Sequence, residues 1–160
     1  MKIAIVYASK HGTTEKVAAS IAEKLSVIGE VKMISLKKNK KPDIGGYDLV
    51  ILGASIYVGK ASKKMKRFCM ENESVLLQKR TGLFVCGMHP DKAEQENELK
   101  NAYPEVLLEK AESTGFLGGE FLFDKMNFLE RAIIKKIAKT ESSVNRINWE
   151  AVYHFVRKFY

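Results

Sequence analysis

Apolar residues along this chain fall into two kinds of run, and the two alternate. KIAIVYA (2–8), DLVILGA (48–54) and TGLFVCG (81–87) are nearly continuous apolar stretches rich in β-branched residues. Such runs mark strands buried on both faces. Between them apolar positions recur at helical spacing. Val17, Ala18, Ile21, Ala22, Leu25 and Ile28 predict a helix from Thr14 to Ile28, closed by Gly29 as its C-terminal cap. Ala61, Met65, Phe68 and Cys69 predict a second helix over 61–72. EVKMISL (30–36) alternates like a more exposed strand, and GFLGGEFLF (115–123) reads as a further strand with a glycine kink.

The remaining segments are helical or loop-forming. HPDKAEQENELKNAYPEVLLEKA opens as a proline-containing loop and becomes a helix interrupted near Pro104. MNFLERAIIKKIAK (126–139) is an amphipathic helix, TESSVNRIN (140–148) a loop, and WEAVYHFVRKFY (149–160) a last helix. Strands that alternate with helices imply an α/β domain, a parallel sheet covered on both sides. Ligands of such sheets bind outside the carboxyl ends of the strands. Three loops leave those ends here, 9–13, 54–60 and 86–91, and are expected to converge.

The first of these loops carries the strongest chemical signal. Ser9, His11, Thr13 and Thr14 surround Gly12 between a buried strand and a helix start. The amides of a helix N-terminus and its dipole favour an anion there, and the hydroxyls add donors. Simple N-capping needs one such side chain, not four. The dinucleotide fingerprint GxGxxG is absent, since Gly12 stands alone. GASIYVGKA (53–61) misses the triphosphate loop, with five residues between its glycines and Ala61 in place of the magnesium-binding hydroxyl. The loop points to a single phosphate group, with simple N-capping by Ser9 or Thr13 as the alternative.

Composition narrows the class further. With 160 residues, one domain spanning 1–160 is expected, with an amphipathic insertion around 124–148. No apolar run is long enough to span a bilayer. The chain enters its first strand without a signal-peptide pattern, and Cys69 and Cys86 have neither metal nor CxxC spacing. A cytoplasmic protein with two buried thiols is expected. The net charge of +8 is uneven: +9 over residues 1–80 and −1 over 81–160. The excess sits in KKNKK (37–41) and KASKKMKR (60–67), either as a solvated face or as a surface for anionic partners. These stretches lack the interleaved aromatics of a single-strand binder, so no nucleic-acid partner is expected. No carboxylate pair, side-chain nucleophile or metal cluster stands out.

Ser9-Lys10-His11-Gly12-Thr13-Thr14 resembles the FMN phosphate loop of the flavodoxin superfamily, (S/T)-x-T-G-x-T, with His11 where a threonine is usual. The chain is similar in more respects to the flavodoxin-like, quinone-dependent protoporphyrinogen dehydrogenase family. Gly53-Ala54-Ser55-Ile56 matches that family's GASI element, followed by Tyr57, Val58 and Gly59. FLERAIIKKIAK (128–139) resembles its basic amphipathic insertion, and NWEAVYHFVRKF (148–159) its tryptophan-led last helix. Flavodoxins that only shuttle electrons are usually acidic and hold the phosphate with neutral donors. The basic charge, with Lys10 and His11, therefore favours an enzyme over a carrier, and an electron-transfer protein without its own substrate is the alternative.

The resemblance implies a three-layer, doubly wound sheet of five parallel strands in the order 2-1-3-4-5, with FMN as cofactor. It implies that Ser9, Lys10, His11, Gly12, Thr13 and Thr14 hold the phosphate. Ala54, Ser55, Ile56, Tyr57 and Gly59 would lie against the isoalloxazine, with Tyr57 stacked on it and the backbone near Gly59 facing N5. Cys86, Gly87, Met88 and His89 would approach the other edge. His89 read alone is an ordinary surface histidine, and His154 is structural. A porphyrinogen and a quinone are the implied partners, and the flavin carries the hard chemistry. In segment 126–139, Met126, Leu129, Ile133, Ile134 and Ile137 form an apolar stripe beside Arg131, Lys135, Lys136 and Lys139. Such a helix lies on an anionic bilayer as a peripheral contact, or packs on its own domain; the sequence leaves both open.

Overall fold

The computed structural model describes residues 1–140 and 142–160; Glu141, inside the predicted 140–148 loop and 124–148 insertion, lies outside the described residues. The chain runs β1 (Lys2–Ala8), α1 (Thr13–Leu25), β2 (Glu30–Ser35), β3 (Leu49–Tyr57), β4 (Lys60–Ala61), α2 (Lys63–Leu76) and β5 (Arg80–Cys86). It continues with α3 (Lys92–Ala102), α4 (Glu105–Lys110), β6 (Ser113–Phe116), β7 (Glu120–Phe121) and a 3₁₀ turn (Phe123–Lys125). The last elements are α5 (Phe128–Ala138), β8 (Val144–Asn145) and α6 (Trp149–Arg157).

The principal strands pair in the order β2-β1-β3-β5-β6, all parallel. This is the expected five-strand order once the short hairpin strand β4, antiparallel to the end of β3, is set aside. The continuous apolar runs are the interior strands: β1 from Ile3 onward and β3 from Leu49 to Ala54 are fully buried. Edge strand β2 alternates and stays half-exposed. Successive residues of β1 point to opposite faces. Ile3, Ile5 and Tyr7 meet α1 and α6, while Ala4, Val6 and Ala8 join Met65, Phe68 and Leu107 on the other side. Phe84 packs edge-on against Phe155 at 5.8 Å, tying β5 to α6. Tyr103, after α3, is buried with its hydroxyl within reach of the carbonyls of Leu52 and Phe84, so its one proton is shared between two strands.

Two expectations need correction. The first helix ends at Leu25 and is capped by Ser26, not by Gly29. Gly29 serves a close approach instead: a Cβ there would lie 2.3 Å from the Met1 carbonyl oxygen, which accepts from the Glu30 amide. The strand read over 115–123 is two pieces. Only Ser113–Phe116 belongs to the main sheet. Gly118, at φ +76°, turns the chain out, and Glu120–Phe121 pairs antiparallel with Val144–Asn145 in a separate ribbon. Glycine takes that φ without strain, which is why the kink breaks the strand here. The segment between β7 and β8 forms a strap over the carboxyl end of the sheet.

Candidate functional site

The carboxyl ends of β1, β3 and β5 open into one cavity of about 630 Å³, within the range of small-molecule sites. The three predicted loops converge on it. Ser9, Lys10, His11, Thr13 and Thr14 form one end, Ser55 to Gly59 one wall, and Cys86 to His89 another. Gly12 faces a neighbouring groove beside Lys16 and Lys125, and Ala54 sits in the core beneath, because β3 runs on to Tyr57. The strap roofs the cavity with Phe121, Met126, Ile134 and Ile137.

The loop end is built to hold an anion. Gly12 is the N-cap of α1 in the left-handed conformation, with its amide taken by Ser9 Oγ, and no side chain caps the helix. The first amides of α1 therefore have no intrahelical partner. The hydroxyl of Thr14 is buried and also unpartnered. One phosphate group fits these donors.

The strap brings its own carboxylates to the same donors. Glu120 accepts from Lys16 Nζ at 2.8 Å and from Thr13 Oγ1 at 3.3 Å. Glu130 Oε2 lies 2.9 Å from His11 Nε2, close but out of line for a hydrogen bond, and its other oxygen is 3.9 Å from Lys10 Nζ. Asn127 Oδ1 fixes that turn of α5 by accepting from the Glu130 amide. Burial holds His11 below the usual histidine range against the Glu130 charge, with Lys10 adding to the lowering. Lys10 Nζ stands 3.5 Å over the Tyr57 ring, a cation–π contact that occupies one ring face. The Tyr57 ring also packs on Phe123, Met126 and Ile134, and its hydroxyl has no partner.

The hairpin between β3 and β4 turns through Val58 (φ 49°) and Gly59 (φ 70°). Two successive left-handed residues make the tight turn that suits twisted strands. Valine there is strained by roughly 1–2 kcal/mol. Met88 is half-buried and His89 exposed. The Cys69 and Cys86 thiols are free and buried, and burial pushes both up to about 12, so neither is a nucleophile near neutral pH.

Residues 4–146 match the flavodoxin domain family. The chain belongs to that family. It is 22% identical to the protoporphyrinogen IX dehydrogenase [quinone] of Escherichia coli (strain K12), covering 99% of this chain and 94% of that protein. It is 23% identical to the protein of the same name from Leishmania major, covering 99% of this chain and 74% of that one. Among solved structures it is similar to flavodoxin 2 of Bacillus cereus, with a TM-score of 0.55, 24% identity and coverage of 74% and 83%. Flavodoxin 1 of the same organism gives a TM-score of 0.53 at 20% identity, covering 74% and 84%. These structures share the fold of this flavodoxin-family chain.

Several cavity residues escape the sequence reading. Glu120 and Phe121 lie on the cavity side of what reads as one strand, and Arg146 in what reads as a plain loop. Glu98 is the least expected. It lies in the polar helix α3, yet it is 8% exposed and faces the cavity with Oε2 unpartnered. Nothing in KAEQENELKNA distinguishes it from its exposed neighbours.

Proposed function

We propose that this flavodoxin-family protein is an FMN-dependent oxidoreductase of the protoporphyrinogen dehydrogenase kind, passing electrons to a quinone. The observation that carries the reading is the single cavity that joins an uncapped helix N-terminus at one end to an apolar roof at the other. FMN has that division, one phosphate and one flat ring. Ser9, Thr13, Thr14 and the first amides of α1 hold the phosphate in this reading, with Lys10 adding positive charge and the His11 ring an N–H donor. Ile56, Tyr57 and Met88 line the ring. Bound there, FMN supplies a hydride acceptor and an outlet for electrons. The full-length likeness to proteins named for protoporphyrinogen and quinone supports the choice of substrate and acceptor. We read residues 1–160 as one domain in which 124–148 is an insertion.

Purified protein is expected to be yellow, or to become so on adding FMN. Supplied with protoporphyrinogen and a menaquinone analogue, it is expected to generate porphyrin fluorescence faster than the protein-free control. A yellow protein that does not exceed the control is an electron carrier without this substrate, and a protein that takes up no FMN refutes both.

Glu130 gives a sharper expectation about the loop. Its carboxylate sits on Lys10 and against the His11 ring, the two side chains nearest to where a phosphate dianion would bind. Ordering of the loop by the partly exposed Lys10–Glu130 pair is worth at most about 1 kcal/mol. Repulsion between two anions a few ångströms apart at partial exposure costs more, up to about 4 kcal/mol. Repulsion wins, so Glu130→Gln is expected to tighten FMN binding roughly tenfold, or 1.4 kcal/mol. Quenching of flavin fluorescence on titration measures it, and unchanged or weaker binding would show that Glu130 orders the loop instead.

The strap also bears on location. Among the described residues no helix is long and apolar enough to cross a membrane. The structure divides the predicted stripe of α5: Met126 and Ile134 pack inward, Ile137 lines the cavity at its exposed rim, and Leu129 is exposed together with Phe128. Our reading is a cytoplasmic protein held peripherally on an anionic membrane face by Phe128 and Leu129, with Lys135 and Lys136 on the same helix. Leu129→Asp is expected to reduce co-sedimentation with anionic vesicles severalfold, and equal binding by parent and variant removes the membrane contact.

A further inference from the structure

The fold buries the carboxylate of Glu98 and that of Glu120, but Glu120 has Lys16 and Thr13 as partners. Glu98 is 92% shielded, in the middle of α3, and lines the cavity beside the loop that follows β5. Its Oε2 has no hydrogen-bond partner. A Cβ added to Gly87 would come within 3.2 Å of that oxygen, so the strand end is bare where the carboxyl reaches past it. A buried, unsatisfied carboxylate is costly, and a fold keeps one more readily where a ligand satisfies it.

The charged groups that bear on Glu98 are few. Desolvation is the largest influence and raises its pKa above the ordinary carboxylate value. His89, on the loop after β5, opposes this, and Glu94, one turn earlier on α3, reinforces it. Cys86, also near that wall, is a neutral thiol. A carboxylate whose pKa is raised takes up a proton more readily than an ordinary one, which suits a base.

We propose that Glu98 is the catalytic base of this cavity, taking the proton from a pyrrolic N–H of the substrate. The assignment rests on the porphyrinogen reading above. With FMN as the hydride acceptor, a bridging carbon would lose a C–H bond in each of the three oxidation steps, its electron pair leaving as hydride; the fourth bridging carbon would pass a proton to a ring nitrogen by tautomerisation, so that four C–H and two N–H bonds are lost in all. A pyrrole nitrogen loses its N–H bond, the proton passes to a Glu98 carboxylate oxygen, and the N–H electron pair completes the new conjugation of the macrocycle. Glu98 then gives the proton to solvent at the mouth of the cavity, where His89 is exposed. A quinone would take the electron pair from the reduced FMN. The carboxyl is regenerated with no group consumed beyond those named.

The test uses FMN-loaded protein, with Glu98→Gln and Glu98→Asp beside the parent. FMN affinity and the flavin absorption spectrum are expected to be unchanged in both variants. With protoporphyrinogen and a menaquinone analogue, Glu98→Gln is expected to lose about 100-fold in kcat with little change in KM. The parent's kcat is expected to rise with pH along an acid limb that the Gln variant lacks, and Glu98→Asp recovers part of the rate. Independently of turnover, infrared spectra of the parent are expected to show a protonated-carboxyl band that titrates above the ordinary glutamate range and is missing from Glu98→Gln. A Gln variant within about threefold of the parent, with the same pH profile, overturns the role of Glu98 and leaves the function standing. A parent that binds FMN but oxidises no porphyrinogen overturns the function, and the role of Glu98 with it.

Discussion

Gly12→Val is expected to weaken FMN binding roughly 100-fold, about 2.7 kcal/mol, while the fold loses far less. Gly12 holds φ at +101° and is the N-cap of α1. A β-branched residue in that region is strained by about 1–2 kcal/mol or more. Space is not the obstacle, since the nearest atom to an added Cβ is the end of the Lys125 side chain at 3.4 Å. The loop is partly exposed and can relieve the strain by rotating to negative φ. That rotation moves the neighbouring amides off the phosphate position and releases the Ser9 contact to the Gly12 amide. The folded state escapes most of the cost, and the binding site takes it. Flavin fluorescence titration and thermal unfolding of the same samples separate the two. A Kd within a few-fold of the parent would mean that the phosphate does not sit on the amides of α1.

How much of this was legible in the sequence follows from what each residue's signal depends on. The interior strands were plain, because a strand buried on both faces must be apolar throughout, as in IAIVYA and LVILGA. The loop 9–14 was plain because its chemistry is local: one strand, one turn and one helix start make it. Its convergence with 54–60 and 86–91 followed from the parallel sheet alone. The root of the strap is where the sequence pattern and the fold part. GFLGGEFLF has strand composition on both sides of its glycines, and composition does not tell a strand that continues from one that turns out at Gly118 to pair with Val144 and Asn145. Glu98, Glu120 and Glu130 were invisible as site residues for a related reason. Each looks like any surface glutamate, and only the folding of α3 beside Gly87, or of the strap over the loop, gives it a role. The stripe on 126–139 was seen, but its division into an inward half and an outward half depends on where the domain lies beneath it.

Gly118→Ala is expected to lower stability by about 2–4 kcal/mol, the largest loss from adding a single methyl group at the site. Gly118 holds φ at +76°, which costs an alanine about 1–2 kcal/mol. The added Cβ would lie 2.1 Å from the Arg146 carbonyl oxygen and 2.8 Å from the Asn148 amide nitrogen, both backbone atoms that cannot rotate away. To relieve the clash the two chains must part, and they are stitched on either side. Asn148 donates to the Leu117 carbonyl at 2.9 Å and Arg146 to that of Gly119 at 2.7 Å, while Gly87 donates to Gly118 itself at 3.1 Å. Each such bond is worth about 0.5–1.5 kcal/mol net. For a chain of this size the loss corresponds to a fall in Tm of about 5–15 °C. The same bonds join the loop after β5 to the root of the strap, so the damage is not confined to stability. The variant is expected to leave residues around Ala138 and Lys139 more open to limited proteolysis and to exchange the amides of Gly87 and Asn148 faster. A Tm within about 2 °C of the parent, with protection intact, would mean that the strap is not anchored at Gly118.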